Sequence, residues 1–393
     1  MALSLHSCDV SDLCLGKPPL RCLPVSSSAV SDAISALKSS EDPFISVWTC
    51  THDHNDASDA ECECLGKISM ADVICHLSQD GDHTLSSLDA PVSVLLPKTR
   101  SLVLHVQASC SLIEAIDLII QGAQNLIVPI RTKTVTKKRQ QNDNVSVTTT
   151  THSNGKRFCW ITQEDIIQFL LGRIAAFSPL PAMSIFDLGV INSTHAILAV
   201  DYSSSASTVV SAISRALADQ TSVAVVEGEG DDPLMYLVGE ISPMTLTCCD
   251  ETAAAAVATL SAGYLMEYLD GGNPPESLVL EVRNRLEERG LMGLLSLFDS
   301  LSPSSPSSGY SSEEESPART ASFGRSMSMS ARMARKAEAI VCNPTSSLMA
   351  VMIQAIAHRV SYTWVVDKDG CFVGMVTFVD ILKVFRKFLE NMI

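Results

Sequence analysis

Apolar residues recur along this chain at two spacings. Short alternating or continuous apolar runs predict strands, and segments with apolar positions three and four apart predict helices. The pattern is cleanest near the end. Ala339–Cys342 predicts a strand and Ser346–Arg359 an amphipathic helix opened by a serine cap. Tyr362–Asp367 predicts a second strand, Asp369-Gly370 a hairpin turn, Cys371–Thr377 a third strand and Phe378–Glu390 a closing helix. The order is β-α-β-β-α.

The same order can be traced twice more in full, and once more through its first four elements. One copy runs Leu20–Leu23, Ala29–Ser39, Phe44–Cys50, Cys64–Ser69 and Met70–Leu77. A second runs Leu102–Val106, Ser111–Gly122, Asn125–Ile130, Phe158–Thr162 and Gln163–Ile174. A third runs Ala196–Asp201, Ser205–Leu217, Ser222–Glu227 and Leu237–Ser242. Each copy ends on a related motif: Gly66-Lys-Ile-Ser69-Met-Ala-Asp72, Cys159-Trp-Ile-Thr162-Gln-Glu-Asp165, Gly239-Glu-Ile-Ser242-Pro-Met-Thr245 and Gly374-Met-Val-Thr377-Phe-Val-Asp380. The fold class is therefore α/β (α+β), with four repeats at 8–80, 90–176, 184–250 and 335–393. Three strands and two helices cannot bury both sheet faces alone, so the copies are expected to pair face to face. Insertions disguise the repeat. The hairpins of the first two copies are stretched at 51–63, which is acidic and contains His, and at 131–156, which is basic and Thr-rich; both read as solvated tips. A helical insertion at 251–300 is expected to hold two helices, Glu251–Leu269 and Glu276–Phe298. The Ser-rich linker at 301–334 has 12 serines between Ser302 and Ser330, a composition that cannot form a core and predicts disorder.

Charge narrows the function. A net charge of −16 lacks the basic footprint of a nucleic-acid binder. Only 18% of residues are charged, which suggests surface buried between repeats or in a homodimer. The thirteen cysteines are scattered within apolar runs, as in Cys75, Cys110 and Cys159, where a thiol acts as a small hydrophobe in a reducing compartment. No signal peptide, transit peptide or membrane span is evident, so a cytoplasmic location is expected.

The β-α-β-β-α unit ending in Gly-x-φ-Ser/Thr-x-x-Asp resembles the cystathionine-β-synthase (CBS) domain, and the chain as a whole resembles the plant CBS-domain-only proteins. The resemblance implies two disc-like pairs of repeats, called Bateman modules, whose clefts hold AMP, ADP, ATP or S-adenosylmethionine as regulatory ligands. It also implies a non-catalytic protein that signals to a partner, a kinase or a redox protein such as thioredoxin in the wider family. Carried onto this chain, Ser69, Thr162, Ser242 and Thr377 would meet phosphate at a helix start, where unsatisfied N–H groups attract an anion. Asp72, Asp165 and Asp380 would accept hydrogen bonds from ribose hydroxyls. Gly66, Gly239 and Gly374 would permit close approach of the ligand. Thr245 replaces the acid in the third copy and Cys159 the glycine in the second, so the first and fourth clefts match in full.

Other features have plainer readings. Ser/Thr-x-x-Asp is also a capping box that stabilises a helix start without any ligand. His52-Asp53-His54 with Cys62 and Cys64 offers metal-ligand residue types, but no zinc spacing, so no metal is expected. Ser311 and Ser312 precede an acidic run, and Ser322 lies three residues after Arg319, as basophilic kinases prefer; these are candidate phosphosites. They support an alternative function, a phospho-regulated interaction scaffold with vestigial clefts. No nucleophile–base pair, Gly-rich phosphate loop or HExxH is present, so no enzyme activity is expected.

Overall fold

The computed structural model describes residues 8–40, 42–49, 62–80, 84–97, 102–130, 155–192, 198–228, 235–270, 274–301 and 339–391, together with 148, 150 and 152. Four three-stranded sheets account for its twelve named strands. The first sheet holds β1 (Cys22–Pro24), β2 (Phe44–Trp48) and β3 (Cys64–Ser69). The second holds β4 (Val103–His105), β5 (Asn125–Ile130) and β6 (Arg157–Thr162). β7 (Ala199–Asp201), β8 (Val223–Gly228) and β9 (Met235–Ile241) form the third, and β10 (Val341–Cys342), β11 (Tyr362–Val366) and β12 (Phe372–Thr377) the fourth. In every sheet the first two strands are parallel and the last two antiparallel. This follows from local chemistry, since parallel strands need a crossover helix whereas antiparallel neighbours can share a hairpin.

A short helix, α1 (Val10–Leu13), precedes the first sheet. α2 (Val30–Lys38) and α3 (Met70–Asp80) belong to the first repeat, and α4 (Thr84–Leu88) leads to the second. α5 (Leu112–Ile120) and α6 (Gln163–Leu171) serve the second repeat, α7 (Ala206–Asp219) and α8 (Pro243–Thr247) the third. The insertion contains α9 (Ala253–Thr259), α10 (Ala262–Leu269), α11 (Glu276–Glu288) and α12 (Met292–Leu301), and the fourth repeat contains α13 (Leu348–His358) and α14 (Phe378–Glu390). Helix α5 shows why the crossovers form: Ser111 accepts the Glu114 N–H, and Leu112, Ala115, Ile116 and Ile119 are all buried on one face. Gly122, at φ +116°, then turns the chain into β5.

Sheets one and two pack through Leu20, Cys22, Trp48, Val103, Ile127 and Phe158. Sheets three and four meet where Tyr236 bridges Cys371 and Tyr362 reaches Glu240. The helices pair differently. α3 lies against α7, α8 and α9, whereas α14 lies against α5 and α6 and α13 against α6. The repeats thus close into a ring: sheets join one to two and three to four, and helices join one to three and two to four. Arg386 of α14 clamps Asp117 of α5 through two bonds of 2.7 and 3.1 Å across the second helical seam.

Two expectations need correction. The insertion forms four helices rather than two. Extended backbone at Leu260 and Ser261 separates α9 from α10, and Gly290 in the left-handed region, at φ +68°, separates α11 from α12. These helices are core material: Ala253–Val257 of α9 are buried against repeats one and three, where small side chains allow close approach. The basic insertion is also not wholly a solvated tip, because His152 returns to the interior with its ring 4.1 Å from Trp48. Residues 131–147, the acidic stretch 51–61 with His52 to His54, and the Ser-rich linker with Ser311, Ser312 and Ser322 lie outside the described residues. No described helix is long and apolar enough to cross a membrane.

Candidate functional site

Each motif places its hydroxyl at or just past the end of the third strand of its sheet, and the three that carry an acid place it in the first turn of the following helix. In the first repeat the Ser69 N–H and hydroxyl both donate to Asp72 Oδ2 at 2.7 Å. In the second, the Thr162 N–H and hydroxyl donate to Asp165 Oδ2 at 2.7 and 2.8 Å, while Thr162 Oγ1 accepts the Asp165 N–H. The fourth repeats this box with Thr377 and Asp380. All three acids therefore cap their helices through Oδ2, which leaves Oδ1 for another partner. That partner differs from copy to copy.

In the second repeat Asp165 Oδ1 is taken by Lys17, 2.6 Å away, from the segment after α1. In the first, Asp72 sits near Lys67. Burial pushes the Asp72 carboxyl up, and burial draws the Lys67 ammonium down to about 8 while Asp72 and Asp42 pull it back. Space beside the first motif glycine is already filled: a Cβ on Gly66 would lie 2.8 Å from Leu96 Cδ2. In the fourth repeat, main chain fills that place. Asn192 pairs with Met375 through two backbone hydrogen bonds of 2.8 and 3.1 Å, and a Cβ on Gly374 would lie 2.6 Å from the Asn192 carbonyl oxygen. Gly374 is therefore glycine because a strand-like segment approaches it.

Asp380 lines a cavity of about 320 Å³, bounded by 189–192 on one side and by Asp380, Lys383 and Lys387 of α14 on the other. Asp380 Oδ1 accepts from the half-exposed Lys383 at 3.1 Å, a pair that a ligand can separate. One carboxylate beside two lysines can accept from hydroxyls and hold an anion in the same space.

The third repeat is built differently. Ser242 caps α8 by accepting the Met244 N–H at 3.3 Å, and Thr245 offers no carboxylate. Ser242 is 4% exposed and, with Ser222, lies against the phenol of Tyr362. That phenol donates to Glu240, 3.0 Å from both carboxylate oxygens, and the Trp364 indole donates to Glu240 Oε2 at 2.6 Å. Burial, and then the Glu240 charge, push the phenol well above its ordinary range. A buried, hydrogen-bonded network thus occupies the place where a phosphate was expected.

The family model for the CBS domain matches residues 332–387, which carry the fourth motif. Over 391 residues, covering all of both chains, the sequence is 81% identical to the CBS domain-containing protein CBSX5 of Arabidopsis thaliana. The chain belongs to the CBS-domain-containing proteins. CBSX6 of the same plant is 28% identical over 96% of this chain and 93% of its own. An Arabidopsis protein described as SNF1-related protein kinase regulatory subunit gamma-like PV42b is 22% identical over 83% of this chain and 76% of its own. Among solved structures, the MJ1225 protein of Methanocaldococcus jannaschii, described as a putative archaeal homolog of g-AMPK, has the same fold. It superposes with a TM-score of 0.53 over 96% of this chain and all of its own, at 12% identity.

Several residues around the CBS motifs escaped the sequence reading. Lys17, Leu96 and Asn192 lie far from the motifs they contact, and no local pattern marks them. Glu240 carried a signal in the motif itself, as the only acidic residue among Lys67, Trp160, Glu240 and Met375 at the position after the glycine or cysteine. Cys62 and Cys64 of the suspected metal cluster are buried beside Cys22, whose sulfur lies 3.3 Å from His152 Nε2. Among the described residues no three His, Cys, Asp or Glu side chains converge to hold a metal ion.

Proposed function

We propose that this CBS protein is a non-catalytic regulator that binds an adenosine-containing ligand at its fourth repeat and passes occupancy to a protein partner. The observation that carries the reading is the cavity at Asp380, where one carboxylate, two lysines and the backbone of 189–192 surround a space of ligand size. Asp380 would accept the ribose hydroxyls, and Lys383 and Lys387 would face the phosphate. A ligand here touches both the 189–192 segment, which leads into the third repeat, and α14, which packs on the second. It can therefore bias the packing of the ring by its differential affinity for two arrangements. The description of PV42b as a kinase regulatory subunit supports a kinase as partner. The repeat spans 8–80, 90–176, 184–250 and 335–393 are the units of this proposal.

Calorimetry of AMP, ADP, ATP and S-adenosylmethionine against the full chain and its Asp380→Ala and Lys387→Ala variants tests it. Binding by the wild type that Asp380→Ala abolishes and Lys387→Ala weakens is the expected result. Absence of binding by any of the four to folded wild type overturns it. The rival reading, a scaffold with vestigial clefts, has its own support: Asp165 is engaged by Lys17, the approach at Gly66 is filled by Leu96, and the Ser242 pocket is filled by the Glu240 network.

A further inference from the structure

The seam between sheets one and two contains two imidazoles. His105 of β4 accepts the Cys64 N–H of β3 on Nε2 at 3.0 Å, a bond that joins the second sheet to the first. A ring nitrogen that accepts a main-chain N–H carries no proton, so this bond exists only for the neutral imidazole. His152, 3% exposed, returns from the hairpin insertion of the second repeat and lies over the first. Its Nε2 is 3.3 Å from the Cys22 sulfur, and its ring stands 4.1 Å from that of Trp48 and 4.9 Å from that of Phe158. His105 meets the same two rings edge to face, at 5.4 and 5.8 Å. Both histidines thus rest on one aromatic pair, in which Trp48 is fully buried.

The charges around the two rings differ. Burial draws His105 below its ordinary value, and Glu63, the neighbour of Cys64, pulls it back. His105 also lines a cavity of about 580 Å³ with Gln107 and Glu114, which gives water and protons a path to the ring. His152 is faced by the Cys22 thiol from β1, by Trp48 from β2 and by Phe158 from β6, within a cluster that also holds Cys62 and Cys64. Burial keeps the Cys22 thiol neutral, pushed up to about 12. Two cations stand on the flanks of His152. Arg21 donates to Thr148 Oγ1 at 3.0 Å, and the Lys156 carbonyl accepts the His152 N–H at 3.1 Å.

We infer that His105 and His152 make the seam between the first two repeats acid-sensitive, so that charging both imidazoles parts sheet one from sheet two while the rest of the ring stays closed. A proton on His105 Nε2 sets a donor against the Cys64 N–H and breaks the bond. A proton on His152 places a charge between two aromatic rings and a thiol. The Trp48 face attracts a cation, but desolvating an imidazolium at 3% exposure costs more than that contact returns. In the open seam both rings regain their ordinary value of about 6.5. The closed seam therefore binds fewer protons than the open one below that pH, and its stability falls as the pH drops. Each imidazole that charges on opening contributes up to about tenfold per pH unit. The seam between sheets three and four rests instead on Glu240, Tyr362 and Trp364, so the response belongs to the first module. The inference does not depend on the ligand proposal.

The test reads opening at the thiols the seam covers, Cys22 and Cys64, against Cys75 and Cys342, which are buried elsewhere. The full chain is treated with dithiodipyridine, a disulfide reagent that works in acid, at about pH 7.5 and about pH 5.5. Mass spectrometry gives the rate at each thiol, divided by its rate in the guanidinium-unfolded chain to give a protection factor. Protection of Cys22 and Cys64 should fall about tenfold or more at the lower pH, and that of Cys75 and Cys342 by less than about twofold. His105→Gln keeps an acceptor without a titrating ring, and His152→Phe keeps a ring without a charge. Each should remove part of the fall and the double variant nearly all of it. Wild type at the two pH values decides the main point whether or not the variants fold. Unchanged protection of Cys22 and Cys64, an equal fall at Cys75 and Cys342, or a full fall in a folded double variant would overturn the inference.

Discussion

Glu240 is the residue whose removal the structure prices most directly. Its carboxylate is 5% exposed and accepts from the Tyr362 phenol and the Trp364 indole, both of them buried. In Glu240→Ala the indole N–H keeps no acceptor, and the phenol must turn to Ser222 or Ser242. An orphaned buried donor costs about 1–3 kcal/mol, and the lost packing adds to it, so a loss of about 2–4 kcal/mol is expected. Glu240→Gln keeps one acceptor oxygen and should recover part of this. Tyr362→Phe alone removes one donor and leaves Glu240 paired with Trp364, a cost of about 1 kcal/mol. Because both changes touch one network, the double variant should fall short of additivity by about 1 kcal/mol or more. Guanidinium unfolding followed by tryptophan fluorescence measures wild type and the four variants, with Trp364 itself a reporter. If Glu240→Ala lies within about 0.5 kcal/mol of wild type, or the double variant is additive, the network does not hold sheets three and four together.

The two motif glycines make a matched pair. Gly374→Ala drives a methyl group to 2.6 Å from a backbone carbonyl and should cost about 1–3 kcal/mol, whereas Gly66→Ala meets only the tip of Leu96 and should cost less; thermal melts with equal midpoints would contradict this. Lys67 gives a pH prediction. Burial lowers its folded value to about 8 from an ordinary 10.5, so between those pH values the unfolded chain holds a proton that the folded chain has released, and stability rises with pH through the window. Denaturation midpoints compared with Lys67→Met should show that rise in wild type alone, and a pH-independent difference would refute the argument. Native-state hydrogen exchange should open the seam between sheets one and two at lower free energy than the seam between three and four, because the buried Asn125 amide nitrogen finds no acceptor among the described residues while Glu240 accepts from two donors; the reverse order would refute this.

Much of the ring was readable because each repeat carries its own local instructions. β3, β5 and α14 begin and end where hydrophobic spacing places them, with Ser69 closing β3 and Thr377 capping α14. The Asp369-Gly370 turn is as local: Asp367 Oδ1 accepts the Asp369 and Cys371 N–H groups, and Gly370 takes φ +83°. The helix breaks at Ser261 and Gly290 were missed because an alanine-rich apolar run continues through the first and a charged helical pattern through the second. The clefts were harder still. A motif states which atoms stand at a helix start, but what comes to face them is set by distant chain: Lys17 at Asp165, Leu96 at Gly66, Asn192 at Gly374. A capping box and a ribose site share one sequence signature, so Ser/Thr-x-x-Asp alone does not separate them.

The position just after the motif glycine shows how the repeats diverged. In the first module Lys67 of β3 reaches Asn125 Oδ1 of the second repeat at 3.4 Å, over the ring of Phe44. In the second module Glu240 of β9 reaches Tyr362, the residue that faces Thr377 across its sheet as Asn125 faces Thr162. The same geometric slot thus holds a cation in one seam and a carboxylate in the other. Glu240 meets two donors. Lys67 is itself a donor, and the Asn125 amide nitrogen, though buried, finds no acceptor among the described residues. A half-satisfied buried polar pair weakens a seam that a complete network would rigidify. The module whose approaches are filled by Leu96 and Lys17 is therefore expected to open at its sheet interface first, whereas the seam beside the Asp380 cavity carries the Glu240 network. On these grounds the site proposed at the fourth repeat would sit in the more preorganised of the two modules, and the first module is the part of the ring expected to yield first in hydrogen exchange.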